Sequence, residues 1–185
     1  MLRSNRIHIR PFTKQDAEDR LKLQLKNRSF FEQYSMIRAE DFYTLETQQK
    51  MIEDYEHQAK KDAEYQFGIY LNETNQLLGT ISLFQVMRHS LQSAVLGYFL
   101  DKEHNGRGYT TEAVKLVLDY AFNNLKLHRI EAGVMPHNLG SIRVLEKAGF
   151  HKEGLAKQNV LINGKWEDHV MLAVLNPEDS EGEQG

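Results

Sequence analysis

The spacing of apolar residues, and the points where that spacing changes period, lays out most of this chain. Ile7 and Ile9 stand two apart before a Pro11-Phe12 stop, which predicts a short first strand. Thr13 can then cap a helix over residues 13–26. Ala17, Leu21 and Leu25 recur there at helical spacing, and Asp16 falls in the first turn, where a carboxylate meets the positive end of the helix dipole. Residues 27–44 follow neither period: aromatics (Phe30, Phe31, Tyr34, Phe42, Tyr43) mix with charges and lead into a helix predicted over residues 45–61. The period then drops to two. Residues 65–71, 77–84 and 93–100 read as three consecutive strands, the first two joined by the turn-forming Asn72-Glu73-Thr74-Asn75.

Helical spacing returns over residues 111–125, where Ala113, Val114, Val117, Leu118, Ala121 and Phe122 form a broad apolar face. Residues 130–134 predict another strand. Residues 138–148 predict a short helix stopped by Gly149-Phe150, a left-handed residue followed by a hydrophobic contact. Two final strands flank Asn163-Gly164, a two-residue hairpin signal. This order predicts an α/β fold with a mixed sheet and flanking helices, and a right-handed crossover from the strand ending near Leu100 to the one starting near Arg129. No repeat or compositional break divides residues 1–176, which are expected to form a single domain. Residues 177–185 are acidic and polar and are expected to be an unstructured tail.

Composition narrows the chemistry. A length of 185 residues with 41% hydrophobic positions suits one well-buried core. With no cysteine, disulfides, thiolate zinc sites and cysteine nucleophiles are excluded. The eight histidines form no metal-ligand spacing, so no metal is expected; His104, His137 and His151 simply lie near the segments described next. A net charge of −3 gives no general attraction to nucleic acid. No stretch approaches the roughly 20 apolar residues of a membrane span or the apolar core of a signal peptide, so a cytoplasmic protein without a membrane partner is expected.

The segment most suggestive of chemistry is residues 101–111. A strand runs into Asn105-Gly106-Arg107-Gly108-Tyr109-Thr110, and the loop opens a helix. The first amides of a helix have no partner within it and can bind phosphate oxygens. Two glycines let an anion approach the backbone, and Arg107 adds positive charge. The same features serve an ordinary tight turn with a capped helix. There is no Gly-Lys-Ser/Thr ending and no Gly-x-Gly-x-x-Gly after a first strand, so neither usual nucleotide fingerprint fits.

Taken with two further segments, this one resembles the GNAT superfamily of acyl-CoA-dependent N-acetyltransferases. They are Leu96-Gly97-Tyr98-Phe99-Leu100 and the run from Asn138 through Ser141 to Glu146-Lys147-Ala148-Gly149-Phe150. The last run and Asn163-Gly164-Lys165-Trp166-Glu167-Asp168-His169 are most similar to the RimJ/RimL-type branch, the ribosomal-protein N-terminal acetyltransferases. The resemblance implies a twisted, mostly antiparallel sheet with a splayed parallel pair, and acetyl-CoA as cosubstrate. It implies direct acetyl transfer to a primary amine, preferably a protein N-terminus.

The family's loop reads Arg/Gln-x-x-Gly-x-Gly/Ala. Gly108 matches it, whereas Asn105 and Thr110 depart, which shifts the expected phosphate contacts onto backbone amides. The resemblance further implies cofactor contacts from Phe99, Leu100, Asn105, Gly106, Arg107, Gly108, Tyr109, Thr110, Asn138 and Ser141. An amide of Phe99 or Leu100 would polarise the thioester carbonyl. Many GNAT enzymes place a proton-donating tyrosine where this chain has Leu145; Ser141 is the donor suggested here, with Asn138 orienting the cofactor. Asn138 reads equally well as a helix cap. Glu103, Glu112 and Asp168 are the carboxylates near the motifs, and none is singled out as a base. Two alternatives stay open: acetylation of a polyamine or an amine antibiotic, and an acyl-CoA-binding sensor without turnover.

Overall fold

A single sheet of eight strands organises the chain, and the computed structural model describes residues 1–180 of it. The strands are β1 (Leu2–Arg3), β2 (Ile7–Pro11), β3 (Tyr65–Leu71), β4 (Leu77–Met87), β5 (Ser93–Leu100), β6 (Arg129–Val134), β7 (His151–Ile162) and β8 (Lys165–Leu175). They lie in the order β1-β2-β3-β4-β5-β6-β8-β7. Every neighbouring pair is antiparallel except β5 and β6. The helices are α1 (Ala17–Lys26), α2 (Arg28–Phe31), α3 (Leu45–Lys60), α4 (Tyr109–Asp119), α5 (Leu139–Lys147) and α6 (Pro177–Ser180). The mixed α/β architecture is the one predicted.

Alternation along the strands divides the packing between two faces. One face, with Ile7, Ile9, Ile69, Leu78, Leu96 and Leu100, buries against Ala113, Val114 and Val117 of α4 and Ile142 and Leu145 of α5. On the other face, Leu23 of α1 and Phe31 of α2 pack with Tyr70, Leu77 and Phe99.

The feature that makes a site is where pairing stops. β5 and β6 pair at only three positions, Ser93 with Arg129, Ala94 with Ile130 and Val95 with Glu131. Beyond them β4 still holds β5 as far as Leu100, and β8 holds β6 as far as Val134. Each strand therefore keeps its outer neighbour while the two diverge. A wedge opens, with one edge of β5 unpaired along residues 96–100.

Several expectations are corrected. The buried residues of α1 are Ala17, Arg20 and Leu23, while Leu25 is half exposed. Arg20 occupies the apolar side because its guanidinium reaches Gln48 Oε1 and donates to Tyr55 Oη at 2.8 Å, both on α3. α4 starts at Tyr109 rather than Thr111 and gives way at Tyr120–Asn124 to a π-helical turn. Residues 28–31 and 40–43, which follow no period, form a short helix and a 3₁₀ turn. Pro177–Ser180 forms a helical turn where the tail was expected to begin; Asp179 there accepts from His128 Nδ1 at 2.7 Å. Residues 181–185, the rest of that expected tail, lie outside the described residues.

Candidate active site

The loop between β5 and α4 is fixed from three directions. Asp101, buried at the end of β5, accepts Lys26 Nζ at 2.8 Å and His104 Nδ1 at 3.2 Å through Oδ2, while its Oδ1 accepts the Glu103 amide. Asn27, also buried, accepts the Lys102 amide at 2.9 Å. The end of α1 thus anchors the start of the loop. Desolvation pushes the Asp101 carboxyl up, but Lys26 and the amide hydrogen bonds outweigh it and hold the group below the ordinary carboxylate value. From the N-terminal side, Ser4 Oγ and Arg6 Nε both donate to Glu112 at 2.7 Å. Arg6 Nη1 donates to the Arg107 carbonyl at 2.8 Å, and its guanidinium lies 4.6 Å over the Tyr109 ring.

Between these anchors the backbone takes positive φ at Gly106 (+76°) and Gly108 (+83°) and enters α4 with Gly108 as N-cap. No side chain caps the helix, so the first amides of α4 are left for another acceptor. Thr110 is buried inside the first turn.

The wedge and this loop open into one groove of about 610 Å³. Leu100, Asn105, Gly106, Gly108, Tyr109 and Thr110 line it from the loop side, and Asn138, Gly140, Ser141, Arg143, Val144 and Lys147 from α5. Phe30, Phe31, Tyr34, Phe99 and His137 line its other end, where Tyr34 stacks on His137 at 6.1 Å between ring centroids. The structure brings nine of the ten residues named from sequence to this groove. Arg107 is the exception; its side chain is exposed and Arg6 holds its carbonyl.

Two residues that the sequence reading missed, Arg143 and Lys147, lie four apart on α5 and face the groove without an ion-pair partner among the described residues. The signal for them was available. Residues 140, 143–144 and 147 follow helical spacing from the capping segment, and projecting that stripe places both cations beside the loop.

Two hydrogen bonds define the chemistry at the junction of β5 and α5. Asn138 Oδ1 accepts the Ser141 amide at 3.2 Å, so Asn138 is the helix cap, and its amide nitrogen has no hydrogen-bond partner among the described residues. Ser141 Oγ lies 2.6 Å from Tyr98 Oη. Desolvation pushes the Tyr98 phenol up to about 12, with the Ser141 contact pulling the other way, so it stays protonated at neutral pH.

The backbone of β5 is also sorted by its pairing. The Asp101 amide donates to the Leu78 carbonyl of β4 at 2.7 Å. Alternation then turns the Phe99 amide toward β4 as well and leaves the Leu100 amide on the open side. The Phe99 ring is 5.1 Å from Phe31, on the opposite face from Tyr98.

No carboxylate lines the groove among the described residues. Glu103 pairs with Lys26, Glu112 with Arg6, and Asp168 accepts the Gln158 amide at 2.7 Å. At the far end the hairpin tip folds back over the loop after α2: Asn163 Oδ1 accepts the Ile37 amide at 2.8 Å and Nδ2 donates to the Ser35 carbonyl.

Comparison with known proteins gives this geometry a context. Residues 6–151 match the family described as Acetyltransferase (GNAT) domain. The chain is 62% identical over 181 residues to the Bacillus subtilis (strain 168) protein named Probable N-acetyltransferase YjcK, covering 98% of this chain and 100% of that one. The structure of ribosomal-protein-S5-alanine acetyltransferase from Vibrio fischeri superposes with a TM-score of 0.89 at 29% identity, covering 95% of this chain and 96% of that one. Mycobacterium smegmatis RimJ, in complex with CoA-disulfide, superposes with a TM-score of 0.87 at 27% identity, covering 97% and 85%.

Proposed function

Because the chain belongs to the GNAT acetyltransferase family and is an acetyl-CoA-dependent N-acetyltransferase, we propose that its acceptor is the α-amino terminus of a protein. The observation that carries this reading is the groove lining, which contains no Asp or Glu among the described residues. A polyamine brings several positive charges, and holding them without a facing carboxylate leaves them desolvated and unpaired. An α-amino group has a pKa of about 7.7–8.0 and is partly neutral at physiological pH, whereas a lysine near 10.4 needs a strong base to expose its lone pair. A groove without a carboxylate suits the first and not the second. Similarity to a ribosomal-protein-S5-alanine acetyltransferase over 95% of the chain supports the same acceptor class, a ribosomal protein included.

The cosubstrate fits the groove by chemistry. The free amides of Gly108, Tyr109 and Thr110 hold the pyrophosphate, with Asn105 and Gly106 shaping the approach. Arg143 and Lys147 neutralise its phosphate charge from α5, a task that the outward Arg107 does not share. The unpaired edge of β5 accepts the pantetheine amides as an added strand would, and the free amide nitrogen of Asn138 adds a donor from α5. The Leu100 amide, rather than that of Phe99, polarises the thioester carbonyl. Ser141 hands a proton to the leaving sulfur. Acceptor residues enter past Phe30, Tyr34 and His137, beneath the bridge from Asn163 to residues 35–37.

The test is acetyl-CoA consumption over a panel of peptides with varied first residues, polyamines and amine antibiotics. Turnover confined to peptides with free N-termini is the expected result. Preferred turnover of spermidine or an antibiotic would overturn the acceptor assignment.

A further inference from the structure

Ser141 has a weakness as a lone proton donor. An aliphatic hydroxyl that gives up its proton becomes an alkoxide, a far stronger base than a thiolate, whose conjugate acid titrates near 8.5 in a model cysteine. The transfer runs uphill unless something returns a proton to the serine oxygen as it leaves. The helix position that carries a tyrosine in many GNAT enzymes is Leu145 here, and its side chain is fully buried in the core. No phenol reaches the groove from α5.

One does reach it from across the wedge. Tyr98 lies on β5, and alternation places its ring on the same face as Leu96 and Leu100, toward α5. Its Oη sits 2.6 Å from Ser141 Oγ and 3.3 Å from the Ser141 carbonyl. Those are the hydrogen-bond contacts of the Tyr98 hydroxyl among the described residues. The Ser141 amide is already committed to Asn138, which fixes the serine backbone.

We propose that Tyr98 is the proton reservoir behind Ser141: its phenol reloads the Ser141 hydroxyl as that hydroxyl protonates the leaving sulfur. The inference rests on the reading of Ser141 as the donor given above. The carbon–sulfur bond breaks and sulfur keeps its electron pair. Ser141 Oγ passes a proton to sulfur and takes one from Tyr98 Oη. The phenolate is then reprotonated by the proton that the attacking amine releases, so no external acid is consumed. A phenolate costs far less than an alkoxide, even with burial holding the Tyr98 phenol up at about 12. Tyr98 acts through Ser141 and is therefore a positioning residue rather than one in contact with the substrate. The other titratable or charged groups that share the groove are Tyr34, His104, Tyr109, His137, Arg143 and Lys147, and no hydrogen bond links any of them to the pair.

Tyr98→Phe keeps the ring and removes only the hydroxyl, so the test compares it with Ser141→Ala and with the double variant in the full chain. Tyr98→Phe is expected to lower kcat about 10- to 100-fold, within the range of general acid catalysis, with the acetyl-CoA KM and the CoA Kd within about twofold. The double variant is expected to be no slower than Ser141→Ala alone, as for groups acting in series. A readout independent of turnover is the pH at which bound CoA ionises, followed by thiolate ultraviolet absorbance. It rises in Tyr98→Phe, because the hydroxyl that supports the thiolate loses its own donor. If Ser141→Ala is slow while Tyr98→Phe keeps wild-type kcat, or if the two losses add, the relay is overturned and Ser141 stands as donor. If Ser141→Ala itself keeps wild-type kcat, the Ser141 assignment fails and the relay with it.

Discussion

At Gly108 the backbone enters α4 with φ of +83°, and a Cβ built there would stand 3.1 Å from Arg6 Nη2. Any side chain costs about 1 kcal/mol or more in that conformation, and an acidic one would also project into the space proposed for a phosphate. Gly108→Glu is expected to raise the CoA Kd at least tenfold while the far-ultraviolet circular dichroism stays near wild type. An unchanged Kd by calorimetry would remove the pyrophosphate from this loop. The places of Gly108 at the entry to α4 and of Ser141 in the first turn of α5 were legible because each belongs to a local motif whose spacing fixes it. That Arg107 lies outside the groove lining was not legible, because the contact holding its carbonyl comes from Arg6, about a hundred positions away. The Tyr98–Ser141 contact likewise joins residues 43 apart, and no local pattern announces it.

Among the elements, the entry to α1 carries the clearest pH signature. Asp16 accepts both Arg10 nitrogens at 2.7 Å, the Thr13 amide at 2.7 Å and the Thr13 hydroxyl at 2.9 Å. Burial pushes its carboxyl up, but these donors prevail and bring it down to about 2. Because the folded value lies below the unfolded one, near 3.9, the stabilisation is fully present above pH 4 and drains away as pH falls toward 2. Asp16→Asn is expected to cost on the order of 2 kcal/mol at pH 7 by denaturant unfolding, a deficit that narrows between pH 4 and pH 2. A deficit that does not change with pH would contradict the ion-pair account. The strands β3 and β5 and the Asn163-Gly164 hairpin followed directly from period and turn chemistry. The face of α1 did not. Arg20 is charged by sequence and buried by structure, because its partners Gln48 and Tyr55 come from α3.

At the level of the whole molecule, the groove is assembled from contacts distant in sequence. The turn between β1 and β2 straps the loop through Arg6 and Glu112, the end of α1 holds it through Lys26 and Asn27, and the hairpin tip folds over the far end through Asn163. Sequence resemblance anticipated the splayed pair, but not that the cavity between its strands would lack a lining carboxylate. That lack supports the proposed α-amine acceptor; Glu103 and Glu112 are instead drawn into ion pairs with Lys26 and Arg6 from the N-terminal part of the chain. The acceptor assignment is most directly tested inside a single molecule: a peptide with a free N-terminal alanine and one internal lysine, incubated with acetyl-CoA and the enzyme, its acetyl group located by tandem mass spectrometry. The account predicts acetylation of the α-amine in preference to the ε-amine by more than about a hundredfold, in keeping with their difference in pKa. Acetyl groups on lysine at a comparable rate would contradict it.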